Sequence, residues 1–294
     1  MIPVAATYYG RALRWAMFLN PMKTGTPMGN LISANVIGFA AIALLGRPGE
    51  LVRPYLIALD ADVSVASQLS ICVLERVFDL VMALLLFGFG VRRIHSAAAH
   101  VGPQMARILE SARWFVVAAS LALMAALIAL RHVRIFIHRV ENRCNSFHWR
   151  RFAVLRSRLL EFAHGLEAAG SDRAIIAAGV YSAVIWIAIA AFYWCVVRAF
   201  DATAGIPVAD VLMLSGFVAF GGIVQLPGIG GGVQMVTILV LTEVLEVRLE
   251  VAASVAMLVW MLNLTAVPVG IGMAAKKGLN WGRLRSGLQK SHAA

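Results

Sequence analysis

Residues 64–90 read SVASQLSICVLERVFDLVMALLLFGFG, an apolar run with Glu75, Arg76 and Asp79 near its middle. Such a run is long enough to cross the ~30 Å hydrocarbon core of a bilayer as one helix, for which about 20 residues suffice. Glu75 stands eleven residues past Ser64, which at ~1.5 Å per residue puts it roughly 16 Å deep. An acid or a base at the centre of a spanning helix costs about 2.5–3.5 kcal/mol, so three of them in one span require partners or water. Glu75 and Asp79 are spaced i, i+4 and share a helix face, while Arg76 and Asp79 are spaced i, i+3 and can pair. Two compatible readings follow. The three residues form an internal salt-bridge cluster that locks helices together, or they line a polar pathway for a charged or zwitterionic headgroup, with a carboxylate available for proton coupling.

The rest of the chain repeats the apolar theme. Of its 294 residues, 61% are hydrophobic and 14% are charged, against about 45–50% and about 25% in soluble domains. Uninterrupted runs at 114–130, 174–200 and 251–275 are long enough to span. Two others are broken. The run 27–45 stops at Gly46-Arg47-Pro48-Gly49-Glu50 and resumes over 51–59, and the run 208–225 stops at 226–232 and resumes over 233–247. Gly and Pro at such points are incompatible with a straight spanning helix. The expected fold is therefore an all-α polytopic membrane protein of about four full spans and two Gly/Pro-broken helical hairpins, each of them either re-entrant or a pair of full spans. If both are re-entrant, counting crossings makes the hairpins enter from opposite faces, the inverted-repeat pattern of transporters.

The formal charge of +11 lies between the apolar runs. Nine Arg fall within 131–173, and five bases without an acid follow from Lys276. The positive-inside rule makes both segments cytoplasmic in a multi-pass protein of the cell membrane, and anionic lipid surfaces account for the charge without nucleic acid. By the same count Arg11, Arg14 and Lys23 mark an inner N-terminus, whereas Arg92, Arg93, Arg107 and Arg113 fall on the wrong side. The chain divides into an interfacial segment 1–26, a transmembrane domain 27–275 containing the basic connector 131–173, and a basic tail 276–294. In the connector Phe152, Leu155, Leu159, Phe162 and Leu166 recur at helical spacing, which predicts an amphipathic helix on the inner leaflet. Three Cys and seven scattered His show neither a disulfide framework nor metal-ligand spacing, so no metal or cofactor is expected. The start has no cleavable signal pattern.

Both breaks carry candidate ligand contacts. At the first, Arg47, Gly49, Glu50 and Arg53 would be brought to a water-filled cavity, the alternative being a capped turn at the membrane surface. At the second, Gln225, Pro227, Gly228, Gly230, Gly231, Gly232 and Gln234 surround a turn whose successive N–H groups can form an anion-binding nest. No Gly-Lys-Ser/Thr follows, so the glycines are not a nucleotide loop. Trp260 and Asn263 read as helix-packing residues.

Arg47-Pro48-Gly49-Glu50-Leu51-Val52-Arg53, then Glu75-Arg76-Val77-Phe78-Asp79, then Pro227-Gly228-Ile229-Gly230 together resemble the transmembrane region of lysylphosphatidylglycerol synthases, over residues 28–275. That region is the flippase part of the multiple peptide resistance factor and has stand-alone relatives, some linked to hopanoid and polyisoprenoid-lipid pathways. The resemblance implies movement of a lipid such as an anionic or aminoacylated phospholipid between leaflets. It implies phosphate contacts by Arg47, Arg53 or Arg76, and amine or proton contacts by Glu50, Glu75 and Asp79. Gln234 stands near the position where the family pattern has a Glu, which points to a lipid other than lysyl-phosphatidylglycerol. The chain is expected to lack the soluble aminoacyl-transferase domain, to be short at its N-terminus, and not to be an enzyme. The alternatives are an accessory subunit of a lipid, hopanoid or polyisoprenoid-glycan pathway, working with an enzyme partner or as a homo-oligomer, and an intramembrane enzyme on lipid-linked substrates.

Overall fold

A computed structural model describes residues 2–97, 153–166, 171–222, 225–226 and 230–278, with six helical positions between Trp114 and Ala125. The apolar run at 114–130, most of the basic connector and the tail beyond Gly278 lie largely or wholly outside the described residues, as do Pro227 and Gly228.

The described chain is a helical bundle. Helix α1 covers Ile2–Leu19, α2 Met28–Leu45 and α3 Val52–Ala61, with a 3₁₀ turn Arg47–Leu51 between the last two. The long helix α4 runs Val65–Ala97, α5 covers Ala153–Leu166 and α6 Asp172–Val197. Then come α7 (Val208–Gly221), a pair of two-residue strands β1 (Gln225–Leu226) and β2 (Gly230–Gly231), α8 (Gly232–Glu243), α9 (Leu249–Leu264) and α10 (Ala266–Lys276).

Both broken runs fold back on themselves. Helices α2 and α3 pack together around the 3₁₀ turn. The turn starts where Gly46, at φ +71°, ends α2, with Pro48 in its first positions. Gly49 then lies directly on the α2 backbone at Ala41 and Ile42, where a Cβ has no room. The second hairpin packs α7 against α8. Its tip is closed by antiparallel pairing of Gln225 with Gly231 and Leu226 with Gly230. Helices of 10, 14 and 12 residues (α3, α7 and α8) are only about 15–21 Å long at ~1.5 Å per residue, short of a ~30 Å core.

Two apolar clusters fix how these pieces are arranged. One gathers Trp15, Phe18, Leu31, Ala61, Ile71, Leu74 and Ala178, with Met28, Val63 and Leu166 beside them. The other gathers Phe192, Val197, Val211, Leu241 and Val255, with Val4, Leu245 and Val247 beside them. Helix α6 joins the two, from Ala178 in the first to Val197 in the second. The open ends of the α2–α3 hairpin therefore lie at one end of the bundle and those of the α7–α8 hairpin at the other. At the first end Lys277 pairs with Asp60, and Gly165 of α5 sits on α4 at Ser67. The amphipathic helix of the connector, the start of α4 and the end of α10 thus share one side.

Helix α1 differs from the expected surface segment. It packs along α6, with Gly10 against Ile185 and Arg14 reaching Ser182. The two helices are antiparallel, and Val4 and Leu19 fall in opposite clusters. Ala12, Arg14, Trp15 and Phe18 are fully buried, so Arg11 and Arg14 sit inside the bundle rather than marking a membrane side. With α1 included, each half reads helix, hairpin, helix: α1, α2–α3, α4 and then α6, α7–α8, α9–α10, traversed in opposite directions. The last helix is not one straight span either. It breaks at Thr265, and Pro268 removes the N–H that would bond Leu264.

Gly49→Ala is expected to lower stability by about 1–3 kcal/mol, the usual cost of overpacking, with a lower midpoint of thermal unfolding in detergent. Gly88→Ala, inside α4 and with nothing within 4 Å of the added Cβ, is the control and leaves the midpoint unchanged or raises it, since Ala is the better helix former by up to about 1 kcal/mol.

Candidate functional site

The helix face predicted for Glu75 and Asp79 is the buried one, and arginines from two other helices fill it. Arg14 Nη2 donates to Glu75 Oε1 at 2.8 Å, while Arg14 Nη1 donates to Asp79 Oδ1 at 2.9 Å and to Ser182 Oγ at 2.6 Å. Arg11 Nη1 donates to Asp79 Oδ2 at 3.0 Å and stands 3.8 Å from Glu75. Arg53 Nη2 pairs with the other Glu75 oxygen, and its Nη1 donates to Asn35 Oδ1 at 3.0 Å. The Arg53 guanidinium also lies over the Trp15 ring, 4.4 Å from its centroid, and Trp15 Nε1 donates to Gln68 Oε1 at 2.9 Å. Glu75 is 1% exposed and Arg14 is fully buried. Charges so far from water survive only with close partners, and each guanidinium here reaches at least one carboxylate.

Local sequence explains how the groups meet. On α1, Arg11 and Arg14 are three apart and point the same way. On α3, Arg53 follows the 3₁₀ turn, and Gly38 of α2 leaves the space its Cβ occupies. On α4, Glu75 and Asp79 are one turn apart.

Arg76 faces elsewhere. It does not pair with Asp79 as its spacing allowed. Its Nη2 lies 3.3 Å from Glu50 Oε2, and its side chain is 47% exposed. Glu50 Oε1 accepts from Arg47 Nη1 at 2.6 Å, and Arg47 Nη2 donates to the Gly222 carbonyl at 2.8 Å. Gly222 ends α7, so Arg47 ties the tip of the first hairpin to the second. A cavity of about 40 Å³ lies alongside, lined by Arg11, Gly38, Phe39, Ile42, Glu50, Arg53 and Arg76.

The structure thus gathers six of the predicted site residues into two neighbouring clusters, Arg53, Glu75 and Asp79 with Arg11 and Arg14 in one and Arg47, Glu50 and Arg76 in the other, on either side of that cavity. Gly49 seats the first tip and Gly231, at φ +136°, shapes the second. Gln225, Gly230 and Gly232 lie in that tip, where Gln225 pairs with Gly231 and Gly230 with Leu226 through the backbone. Gln234 contributes to the same turn: its Oε1 accepts from Gly231 N–H at 2.8 Å. Sequence reading missed Arg11, Arg14, Asn35 and Ser182 as partners. The available signal was the two arginines at i, i+3 in an otherwise apolar helix.

The fold and its site define a polytopic helical membrane protein in which two broken-helix hairpins from opposite ends meet beside a buried charge cluster. The family model of the lysylphosphatidylglycerol synthase transmembrane region matches residues 1–272, and the chain belongs to that family. Membership places it among membrane proteins of lipid metabolism or lipid flipping. The match takes in α1, consistent with its place inside the bundle. Comparison with curated proteins and with solved structures found no match.

Glu75→Gln leaves Arg14 and Arg53 short of a buried partner and is expected to cost about 3–5 kcal/mol. Arg76→Gln removes a half-exposed pair and is expected to cost less than about 1 kcal/mol. Thermal unfolding of both in the same detergent checks the order; equal midpoints would remove Glu75 from its central structural position.

Proposed function

We propose that the chain is a lipid transporter that moves a phospholipid or a related lipid between leaflets, and that it is not an enzyme. The observation that carries this reading is the meeting of the two hairpin tips at Arg47 and Gly222, beside a half-exposed arginine on a helix lined with buried charge. In a bilayer the short α3 of the first hairpin and both short limbs of the second suit re-entrant hairpins, one from each face, with their tips near the midplane, although α2 with its 18 residues is long enough to span. Irregular backbone at that depth is tolerated only inside protein or beside a water-filled cavity. Arg76, eleven residues into α4, is roughly 16 Å from the helix start by its ~1.5 Å rise. A half-exposed guanidinium there calls for water or an anion.

Two opposed hairpins meeting at a midplane site suit alternating access, in which one half rocks against the other and opens the site to each leaflet in turn. The buried carboxylates are each held by guanidiniums, an arrangement for holding charge in place rather than for bond making. The end of the bundle carrying Asp60, α5 and Lys277 is cytoplasmic in this reading, since the basic connector and tail attach there. That leaves the start of α1 on the outer side.

The test is leaflet exchange of labelled lipids in liposomes containing the purified protein, comparing wild type with Arg76→Gln. Wild type is expected to exchange at least one lipid class well above protein-free vesicles. The variant, which keeps its fold, is expected to lose most of that rate. No exchange above protein-free vesicles across anionic, zwitterionic and aminoacylated lipids would reject the reading.

A further inference from the structure

Among the described residues, the ion pairs of Arg11, Arg14, Arg47, Arg53 and Arg76 run to Glu50, Glu75 and Asp79, five guanidiniums to three carboxylates. The two groups differ in burial. Glu75 and Asp79 are enclosed by Arg11, Arg14 and Arg53, whereas Arg47 and Arg76, 42% and 47% exposed, both pair with the Glu50 carboxylate. Arg11 lines the adjoining cavity, and its buried Nε has no acceptor among the described residues.

Glu50 is placed as a ligand would be. Its two oxygens bridge guanidiniums from two different elements, the 3₁₀ turn and α4, at the edge of a cavity walled by two more. Guanidinium forks match a tetrahedral phosphate as well as a carboxylate, and several forks converging from different directions suit its larger set of oxygens. The same Arg47 that holds Glu50 also bonds the Gly222 carbonyl, so occupancy of this arginine bears on whether the tips stay joined.

We propose that the Glu50 carboxylate is a built-in stand-in for an anionic phosphate headgroup, which displaces it from Arg47 and Arg76 and loosens the tie between the two hairpin tips. This rests on the lipid-transport reading and narrows its substrate to a headgroup with a phosphate and no compensating cation. While Glu50 occupies the arginines it competes with the ligand, and apparent affinity falls in proportion to the closed fraction. After displacement Glu50 turns to water at the cavity mouth.

The consequence separates this idea from one in which Glu50 contacts the lipid directly. Removing a direct contact weakens binding, whereas removing a competitor strengthens it. The experiment is equilibrium binding by titration calorimetry to the purified protein in phosphatidylcholine nanodiscs. The probes are dihexanoyl phosphatidylglycerol, dihexanoyl phosphatidylcholine and inorganic phosphate. Glu50→Gln is expected to bind the phosphatidylglycerol probe about tenfold more tightly than wild type and Arg76→Gln about tenfold more weakly, the scale of one charge-assisted hydrogen bond. Glu50→Ala, with an elution profile on size exclusion matching wild type, must follow Glu50→Gln. The phosphatidylcholine probe is expected not to compete. Inorganic phosphate following the same order at comparable affinity would support the exchange and make the free anion, rather than the lipid, its source.

Weaker binding in both Glu50 variants, equal binding of the two lipid probes, or no binding of either phosphate-bearing anion would overturn the proposal. These readouts need no transport. Tighter binding in Glu50→Gln without leaflet exchange would sink the transporter reading alone, and exchange with weakened Glu50→Gln binding would sink this inference alone.

Discussion

Four helices are held in register by one carboxylate and its immediate neighbour. Glu75 takes a guanidinium on each oxygen, Arg14 from α1 and Arg53 from α3. Asp79, one turn on, takes Arg14 and Arg11, and Arg14 continues to Ser182 on α6. Apolar packing in a bilayer discriminates poorly between helix registers, because lipid tails are as apolar as the side chains they replace. Buried ion pairs are different, since a slip of one residue along any of these helices strands a charge. The cluster therefore specifies the arrangement even though its net contribution to stability is small compared with the cost of breaking it. Asn35 and Trp15 bracket Arg53 from the sides, which limits the rotamers the central contact can adopt.

The hairpins depend on a second constraint, that no backbone polar group be left bare in lipid. The first tip meets it with a 3₁₀ turn seated on α2. The second meets it with a pair of two-residue strands and with Gln234 folded back on Gly231. The end of α7 carries a partial negative charge on its last carbonyls. Arg47 meets it at Gly222. The contact between the tips is thus part of how the second hairpin ends.

The two hairpins, the long α4 and the amphipathic α5 were legible from sequence because each rests on a local pattern: Gly and Pro interrupting an apolar run, or apolar residues at a 3.6 period. The face of Glu75 and Asp79 was legible for the same reason. Their partners were not. Arg14 lies 61 residues before Glu75 and Ser182 lies 168 after Arg14, and no periodicity encodes such pairings. The two arginines lowered the hydropathy of α1, so the helix read as interfacial when it is buried along α6. Arg76 failed in the opposite way. Its i, i+3 spacing from Asp79 permits a pair, but Asp79 was already filled from α1, and Arg76 turned to Glu50 on the first tip.

Adjacent positions on α4 therefore carry different duties. Successive side chains on a helix diverge by about 100°, from 3.6 residues per turn, so residues that hold the bundle and a residue that faces the cavity fit within one turn. Glu75 and Asp79 cannot move without exposing unpaired charge, and they fix the backbone from which Arg76 projects. Arg76 itself is only half covered, and its partner Glu50 sits on a turn that a glycine, rather than a buried ion pair, keeps in place. In the proposed transport the guanidinium that meets the ligand is thus rigid at its root and exchangeable at its tip. A change that loosened Glu75 would blur the position of Arg76 even with every cavity residue intact, so loss of activity in a Glu75 variant is not by itself evidence that Glu75 touches the lipid.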